Sequence, residues 1–265
     1  MPYCGQTSEK LELNINLALI LTLLTALTGA IVAFDRFYLQ KREDKKEPNR
    51  ALGTIIDYSR SFFPVLLFVL VIRSFIFEPF RIPSGSMMPT LLQGDYIFVK
   101  KYSYGLRLPV LETKIIETGE PERGDVVVFR LPEEPSVNYI KRVVGLPGDT
   151  IEYSNHRLTV NGEAVPLSAD PDPPAEDIAP RFVENLGDRE HAILIAHPGN
   201  TIKDGVYEVP EGHYFMLGDN RDNSRDSRFL GYIPETHLVG EAVRIWMHMD
   251  GLEVPDWERI GMKIQ

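Results

Sequence analysis

The sequence contains very little cysteine: Cys4 is the only one among 265 residues. A single thiol cannot build an internal disulfide framework or a zinc site made of several cysteines. Histidine is also sparse, with six scattered residues and no His-Glu-x-x-His pattern, so nothing in the spacing indicates a metal site. We therefore expect neither a metal nor another cofactor.

The chain also lacks a positively charged body. Residues 82–265 carry 18 basic and 30 acidic side chains, a net charge of −12, whereas residues 1–81 have a net charge of +2. Nucleic-acid phosphates require a positive protein surface. The charge distribution therefore argues against nucleic acid as a partner.

Two apolar segments lie near the N-terminus. Residues 17–34 form an uncharged run of eighteen, close to the ~20 residues that cross a bilayer. A cleaved signal peptide and a buried core helix are the alternatives, but only Lys10 precedes the run, whereas a signal peptide begins with a basic region. Residues 61–77 form a weaker second segment, because Arg73 interrupts it near its end, where a long side chain can reach the interface.

The segment between these two runs, residues 35–50, contains six Lys and Arg residues. Basic residues in short loops favour the cytoplasmic side of a membrane. Two crossings then place the N-terminus and everything after residue 77 on the extracytoplasmic side. The sequence predicts a first transmembrane helix and basic loop in residues 1–60, a second transmembrane helix in residues 61–78, and an extracytoplasmic β-rich domain in residues 79–265.

Beyond residue 95 the apolar residues come in short runs that are typical of strands. These runs are rich in Val, Ile, Tyr and Phe, and turn signals such as Asn161-Gly162 and Pro147-Gly148 separate them. No helical period lies between them, so a parallel βαβ arrangement is not expected. We predict a mainly β fold, in which two N-terminal transmembrane helices precede an antiparallel β-sheet catalytic domain. The runs are YIFVKKY, GDVVVFRL, YIKRVVGL, TIEYS, RLTV, HAILIA, GVYEV, HYFMLG and EAVRIWMHM.

Residues 166–190 interrupt this pattern. They contain five prolines and a cluster of acidic residues, which predicts a long solvated surface loop rather than strands. A lid over a substrate is the alternative.

Two serines follow the second apolar segment, in the stretch IPSGSMMPTL of residues 82–91. A serine hydroxyl is a weak nucleophile and needs a base. No Gly-x-Ser-x-Gly motif is present, although spacing alone leaves a Ser-His-Asp triad open. Lysine is the other suitable base, provided that an apolar setting keeps it neutral. Lys141, inside the apolar run YIKRVV, fits this requirement; an exposed strand face is the alternative.

A third cluster, residues 218–234, is dense in Asp, Asn, Ser and Arg. Its spacing does not match a calcium-binding loop of the EF-hand type, which needs Gly and Glu at fixed positions. It directly follows the apolar run YFML. If the cluster begins inside a core, its Asp and Arg side chains must pair with each other; a solvated loop is the alternative.

Four stretches in this order resemble the sequence boxes of bacterial type I signal peptidases, the leader peptidases with a Ser-Lys dyad. They are PSGSMMPTL, RGDVVVF, YIKRVVGLPGD and GDNRDNSRDSR. The resemblance implies an inner-membrane serine endopeptidase that removes signal peptides from exported preproteins. It implies cleavage after small residues in an A-x-A-like pattern, through an acyl-enzyme. The expected partners are such preproteins, the lipid bilayer and the export machinery.

The resemblance also assigns roles to individual residues. Ser86 would be the nucleophile and Lys141 its general base, and the Ser84 hydroxyl with the Ser86 backbone N–H would hold the oxyanion. Ser224 would hydrogen-bond Lys141 and orient it. The other supporting residues would be Arg142, Asp226 and Arg228. The pocket for small substrate side chains would be lined by Phe80, Ile82, Pro83, Met87, Leu91, Tyr139 and Ile140.

Two other classes of protein remain open at this point. One is a membrane-tethered, β-rich binding module without catalysis. The other is a self-cleaving Ser-Lys regulator of the SOS-repressor type, which would lack membrane segments and carry a DNA-binding domain.

Overall fold

The computed structural model describes residues 7–39, 50–108, 113–171, 173, 178–197, 203–249 and 256–264. The chain forms two compact units, one made of Met1–Phe77 with Leu106–Ile116 and the other of Glu78–Gly105 with Glu117–Gln265. Most of the basic segment that is expected to be cytoplasmic, residues 40–49, lies outside the described residues.

The first unit contains two long helices. Helix α1 spans Thr7–Phe34 and helix α2 spans Arg50–Val71, and each continues into a short π-helical segment. By length and composition, the stretches Leu19–Leu39 and Ala51–Ile76 are long and apolar enough to cross a membrane. A short ribbon of strands β3 and β4, Leu106–Arg107 and Lys114–Ile116, completes the described part of this unit.

Helices α1 and α2 pack closely against each other. A Cβ atom at Gly29 would lie 2.7 Å from the ring of Phe63, so the absence of a side chain there permits the approach. Arg60 forms a salt bridge with Asp35. Helix α2 begins at Arg50, eleven residues before the apolar run at 61–77. Its first turns contain polar residues such as Arg60, so hydropathy identifies the apolar part of the helix and not its start.

The second unit is built on a seven-stranded sheet with the order β1-β2-β16-β5-β6-β14-β15. Neighbouring strands from β2 to β15 in this order are antiparallel, and all nine strand runs predicted from the sequence form strands, so the predicted antiparallel β fold is confirmed. The strands of this sheet are β1 (Phe77–Arg81), β2 (Asp95–Lys100), β5 (Val126–Arg130), β6 (Asn138–Gly145), β14 (His213–Leu217), β15 (Ile233–Pro234) and β16 (Leu238–His248).

A four-stranded sheet has the order β13-β7-β8-β9. Asn161 and Gly162 have φ angles of 53° and 81° and connect β8 to β9, the two positive values of a type I′ hairpin turn. Gly148, with φ of 84°, occupies the turn predicted at Pro147-Gly148. The strands are β7 (Thr150–Ser154), β8 (Arg157–Val160), β9 (Glu163–Ala164) and β13 (Gly205–Glu208).

The prediction that residues 166–190 form a loop without strands is wrong. They contribute to an antiparallel three-stranded sheet of β10 (Leu167–Ala169), β11 (Arg181–Leu186) and β12 (Arg189–Leu194). Four of the five prolines lie between β10 and β11, and Gly187, with φ of 72°, starts the two-residue turn from β11 to β12. Composition averaged over 25 residues therefore concealed a hairpin.

Candidate active site

The segment that carries Ser86 connects β1 to β2 and is anchored by apolar residues. Ile82 exchanges backbone hydrogen bonds with Asp95 and Gly94, at 2.8 and 2.9 Å. Met87 and Leu91 have no exposed surface, and the Leu91 N–H donates to the Met87 carbonyl at 2.9 Å. This anchoring leaves Ser86 itself partly exposed, so its hydroxyl is fixed in place and remains accessible to a substrate.

Lys141 lies in the middle of β6, opposite Val127 of β5. Its side chain is buried, with 2% of its surface exposed. The Nζ atom donates hydrogen bonds to Ser86 Oγ at 2.7 Å and to the carbonyl oxygen of Ile140 at 2.8 Å. The amine and the hydroxyl are therefore within direct proton-transfer distance.

Burial lowers the pKa of Lys141 from 10.5 to about 8, because a buried environment disfavours the ammonium form. The negative charges of Asp226 and Asp219 act in the opposite direction, and the positive charge of Arg228 adds to the lowering. A usable fraction of the amine is consequently neutral near neutral pH.

Two buried ion pairs stabilise the loop after β14. Arg142, next to Lys141, donates from Nε and Nη2 to Asp219 at 2.8 and 2.7 Å, and both side chains are 1% exposed. Arg228 donates to both carboxylate oxygens of Asp226 at 2.8 Å. The second carboxylate also accepts from the Gly218 N–H at 3.0 Å. The alternative of a solvated loop is wrong, because these Asp and Arg side chains lie in the core and pair there.

The expected hydrogen bond from Ser224 to Lys141 is not formed. The Ser224 Oγ atom is buried and has no hydrogen-bond partner among the described residues. The side chain instead packs on Gly218, where an added Cβ would lie 2.2 Å from Ser224 Oγ and 2.6 Å from the Ser86 carbonyl oxygen. The Lys141 amine donates its hydrogen bonds to Ser86 Oγ and to the Ile140 carbonyl, so Ser224 lines the site without binding the amine.

Ser84 is exposed, and its Oγ lies 3.5 Å from Ser86 Oγ.

The residues predicted to line the substrate pocket differ in how far they are exposed. Pro83 is exposed, and Phe80 and Tyr139 are partly buried. Ile82, Met87, Leu91 and Ile140 are buried in one apolar cluster, against which Phe80 packs.

The sequence did not indicate two residues of this site: Asn220, and Asp219 as the partner of Arg142. The Asn220 backbone N–H donates to the Ser86 carbonyl at 3.1 Å, and its side chain donates to the Gly85 carbonyl at 3.0 Å. Asp219 also accepts from Thr90 at 2.5 Å. Asn220 and Gly85 are 135 residues apart, so no local spacing pattern indicated that they meet.

The described residues contain no group of three or more His, Cys, Asp or Glu side chains that could hold a metal ion.

Comparison with known proteins places this chain in a family. The family model described as signal peptidase, peptidase S26, matches residues 55–247. Signal peptidase I of Pseudomonas fluorescens is 42% identical over 94% of this chain and 99% of that protein, and signal peptidase I of Pseudomonas aeruginosa is 43% identical over the same shares. A crystal structure of a signal peptidase I from Enterococcus faecalis is 28% identical and covers 46% of this chain and 96% of that chain, with a TM-score of 0.29.

Neither alternative from the sequence agrees with these matches. A non-catalytic binding module and a regulator with a DNA-binding domain would not align with peptidases over 94% of the chain. The chain belongs to the signal peptidase family, peptidase S26.

Proposed function

We propose that this protein is a membrane-bound serine endopeptidase that removes signal peptides from exported preproteins, with Ser86 as nucleophile and Lys141 as general base. The observation that carries the proposal is the 2.7 Å contact between the buried Lys141 amine and the partly exposed Ser86 hydroxyl. A lysine with a pKa of about 8 can accept the serine proton without a histidine.

The reaction would proceed in two halves. The neutral amine of Lys141 takes the proton of the Ser86 hydroxyl while Oγ attacks the scissile carbonyl, and the ammonium then protonates the leaving amine. This step leaves an acyl-enzyme on Ser86. Lys141, neutral again, removes a proton from a water molecule, whose oxygen attacks the acyl carbon. The bond to Ser86 Oγ then breaks, the Lys141 ammonium returns the proton to this oxygen, and the signal peptide leaves with a free carboxylate.

We assign the oxyanion site to the Ser84 hydroxyl and the Ser86 backbone N–H. Ser84 Oγ lies 3.5 Å from the nucleophile and is exposed, so it can turn toward the carbonyl oxygen of a substrate attacked by Ser86. Donors placed where negative charge develops stabilise the transition state more than the ground state.

The apolar cluster beside Ser86 supports a preference for small substrate residues. Phe80, Pro83 and Tyr139 would form the accessible walls of a shallow pocket, and Met87 and Leu91, which have no exposed surface, would pack directly beneath its floor and limit its depth. A shallow floor excludes large side chains by steric clash, which agrees with the A-x-A pattern that ends signal peptides.

The two apolar helices support a location in the inner membrane, with both the N-terminus and the peptidase domain on the extracytoplasmic side. A signal peptide in the same bilayer is confined with the enzyme, which raises its effective concentration. Association with the export machinery would bring substrates to the same location.

The test is cleavage of a preprotein with an A-x-A site by the full chain in lipid vesicles. Ser86→Ala and Lys141→Met should each abolish cleavage. Ser136→Ala and Lys263→Met change the same residue types at exposed positions and should cleave at the unmodified rate. Persistent cleavage by either site variant would overturn the assignment, and equal cleavage of a preprotein with Phe at both small positions would overturn the specificity.

A further inference from the structure

The sheet β10–β12 is joined to the active-site loop through a buried charge pair. Glu184 of β11 and Arg221, which follows Asn220, are each 1% exposed. Arg221 donates from Nη1 to one carboxylate oxygen of Glu184 at 2.8 Å and from Nη2 to the other. His191 of β12 lies beside this pair, with its Nε2 atom 3.3 Å from the carboxylate.

Glu184 is charged in this pair, which makes the ion pair with Arg221 costly to break. Burial alone would raise the pKa of Glu184, but the positive charge of Arg221, its hydrogen bonds to the carboxylate and the neighbouring His191 ring bring the pKa well below its ordinary value. The carboxylate is therefore charged at neutral pH. Removing one member of such a pair leaves an uncompensated charge in the core.

A second connection runs through the backbone. The N–H of Leu194, the last residue of β12, donates to the Asp219 carbonyl at 2.9 Å. Leu194 and Asn220 form a parallel β-bridge. The end of β12 thus pairs with the residues that precede Arg221, and the sheet holds the loop at two adjacent points.

The same loop holds the nucleophile segment. The Asn220 N–H donates to the Ser86 carbonyl and the Asn220 side chain to the Gly85 carbonyl. The carbonyl of Arg221 accepts from Arg228 Nη2 at 2.6 Å, and Arg228 is paired with Asp226. A displacement of Arg221 would therefore move both the Ser86 backbone and the charges that surround Lys141.

We propose that the sheet β10–β12 is a brace for the active site and that Glu184 and Arg221 are positioning residues, which hold the loop from Gly218 to Arg228 against the Ser86 segment. The proposal rests on the function proposed above and adds residues to that site. It also means that the strands β10–β12 themselves do not act as a lid, because a lid must leave the site, whereas this sheet is attached to it by a buried ion pair and by backbone pairing.

The experiment compares Glu184→Gln with Glu190→Gln in the full chain. Glu190 lies on β12 with its side chain exposed, so the control makes the same change of charge in the same sheet without touching the loop. Cleavage of the preprotein is measured from pH 6 to pH 10 and normalised to folded protein. We expect Glu184→Gln to lower kcat about 10- to 100-fold with little change in KM, the effect of slightly misplaced reacting groups.

We also expect the midpoint of the pH curve of Glu184→Gln to move to higher pH. Burial is the main cause of the lowered pKa of Lys141, and a loosened loop admits water to the amine. Glu184→Asp keeps the charge and should recover part of the rate. Glu190→Gln should match the unmodified chain in kcat, KM and midpoint.

If folded Glu184→Gln has the same kcat and the same pH midpoint as the unmodified chain, the proposal is overturned, and the pair contributes only to stability. If Glu184→Gln does not fold, Glu184→Gln combined with Arg221→Gln leaves no unpaired charge and is judged by the same two criteria. Ser86→Ala in the same assay separates this outcome from failure of the proposed function. If Ser86→Ala cleaves, the peptidase assignment is wrong whatever Glu184 does.

Discussion

The pH dependence of cleavage is the most direct consequence of the buried lysine. With a pKa of about 8, roughly one Lys141 side chain in ten is neutral at pH 7, whereas with the ordinary value of 10.5 only about one in three thousand would be. The lowering corresponds to about 3 kcal/mol of preference for the neutral form. We therefore expect kcat/KM to rise about tenfold from pH 6 to pH 7 and to level off above about pH 8.

The assay is the initial rate of preprotein cleavage at substrate concentrations well below KM, with the full chain in vesicles. A sample held at each pH and returned to pH 8 must recover its full rate, which separates titration from unfolding. A midpoint near 6.5 would indicate a histidine base instead. A rate that does not change between pH 6 and pH 9 would refute Lys141 as the base.

Three further substitutions test the rest of the site. Gly218→Ala should reduce cleavage at least about 10²-fold, because the new Cβ would lie 2.6 Å from the Ser86 carbonyl oxygen and displace Ser86, the proposed nucleophile. Asp219→Asn leaves the buried Arg142 without its counter-charge and should lower the free energy of unfolding by about 3–5 kcal/mol, measured by thermal or denaturant unfolding in detergent. Ser84→Ala should lower kcat about 10²- to 10³-fold with KM little changed, as expected for loss of one oxyanion donor.

Gly218→Ala and Asp219→Asn each have a control variant. Gly53→Ala adds a methyl group where no atom lies within 4 Å and should leave cleavage unchanged. Glu163→Gln removes an exposed carboxylate of β9 and should leave the unfolding midpoint unchanged. Normal cleavage by Gly218→Ala, unchanged stability of Asp219→Asn, or an unaltered kcat for Ser84→Ala would each contradict the role given to that residue.

Local patterns in the sequence were sufficient for most of the architecture. Strand runs such as TIEYS and RLTV form β7 and β8, and the strands begin and end where the runs do. The reason is that the strand preference of β-branched and aromatic residues is expressed within a few neighbouring residues. The Asn161-Gly162 turn follows from the tolerance of these two residues for positive φ. The apolar setting of Lys141 was likewise visible from its neighbours in the chain.

The hairpin of β11 and β12 shows where composition misleads. The prolines between β10 and β11 dominated the average composition of residues 166–190. The strands are stabilised in part by contacts with residues outside this segment. Glu184 is tolerated in the core because Arg221, 37 residues away, neutralises it. The sequence of the segment alone reads as a solvated loop.

The sequence by itself determined most of the elements: the apolar helices, the nine predicted strand runs, two turns and a lysine on an apolar strand. Only the tertiary structure decided what meets in the site. It brings Lys141 to a serine 55 residues away and Asn220 to Gly85 across 135 residues, and it leaves Ser224 without the expected bond to the amine. The physical reason is range: backbone preferences act between neighbours in the chain, whereas hydrogen bonds, ion pairs and burial depend on which distant segments the folded sheet places side by side.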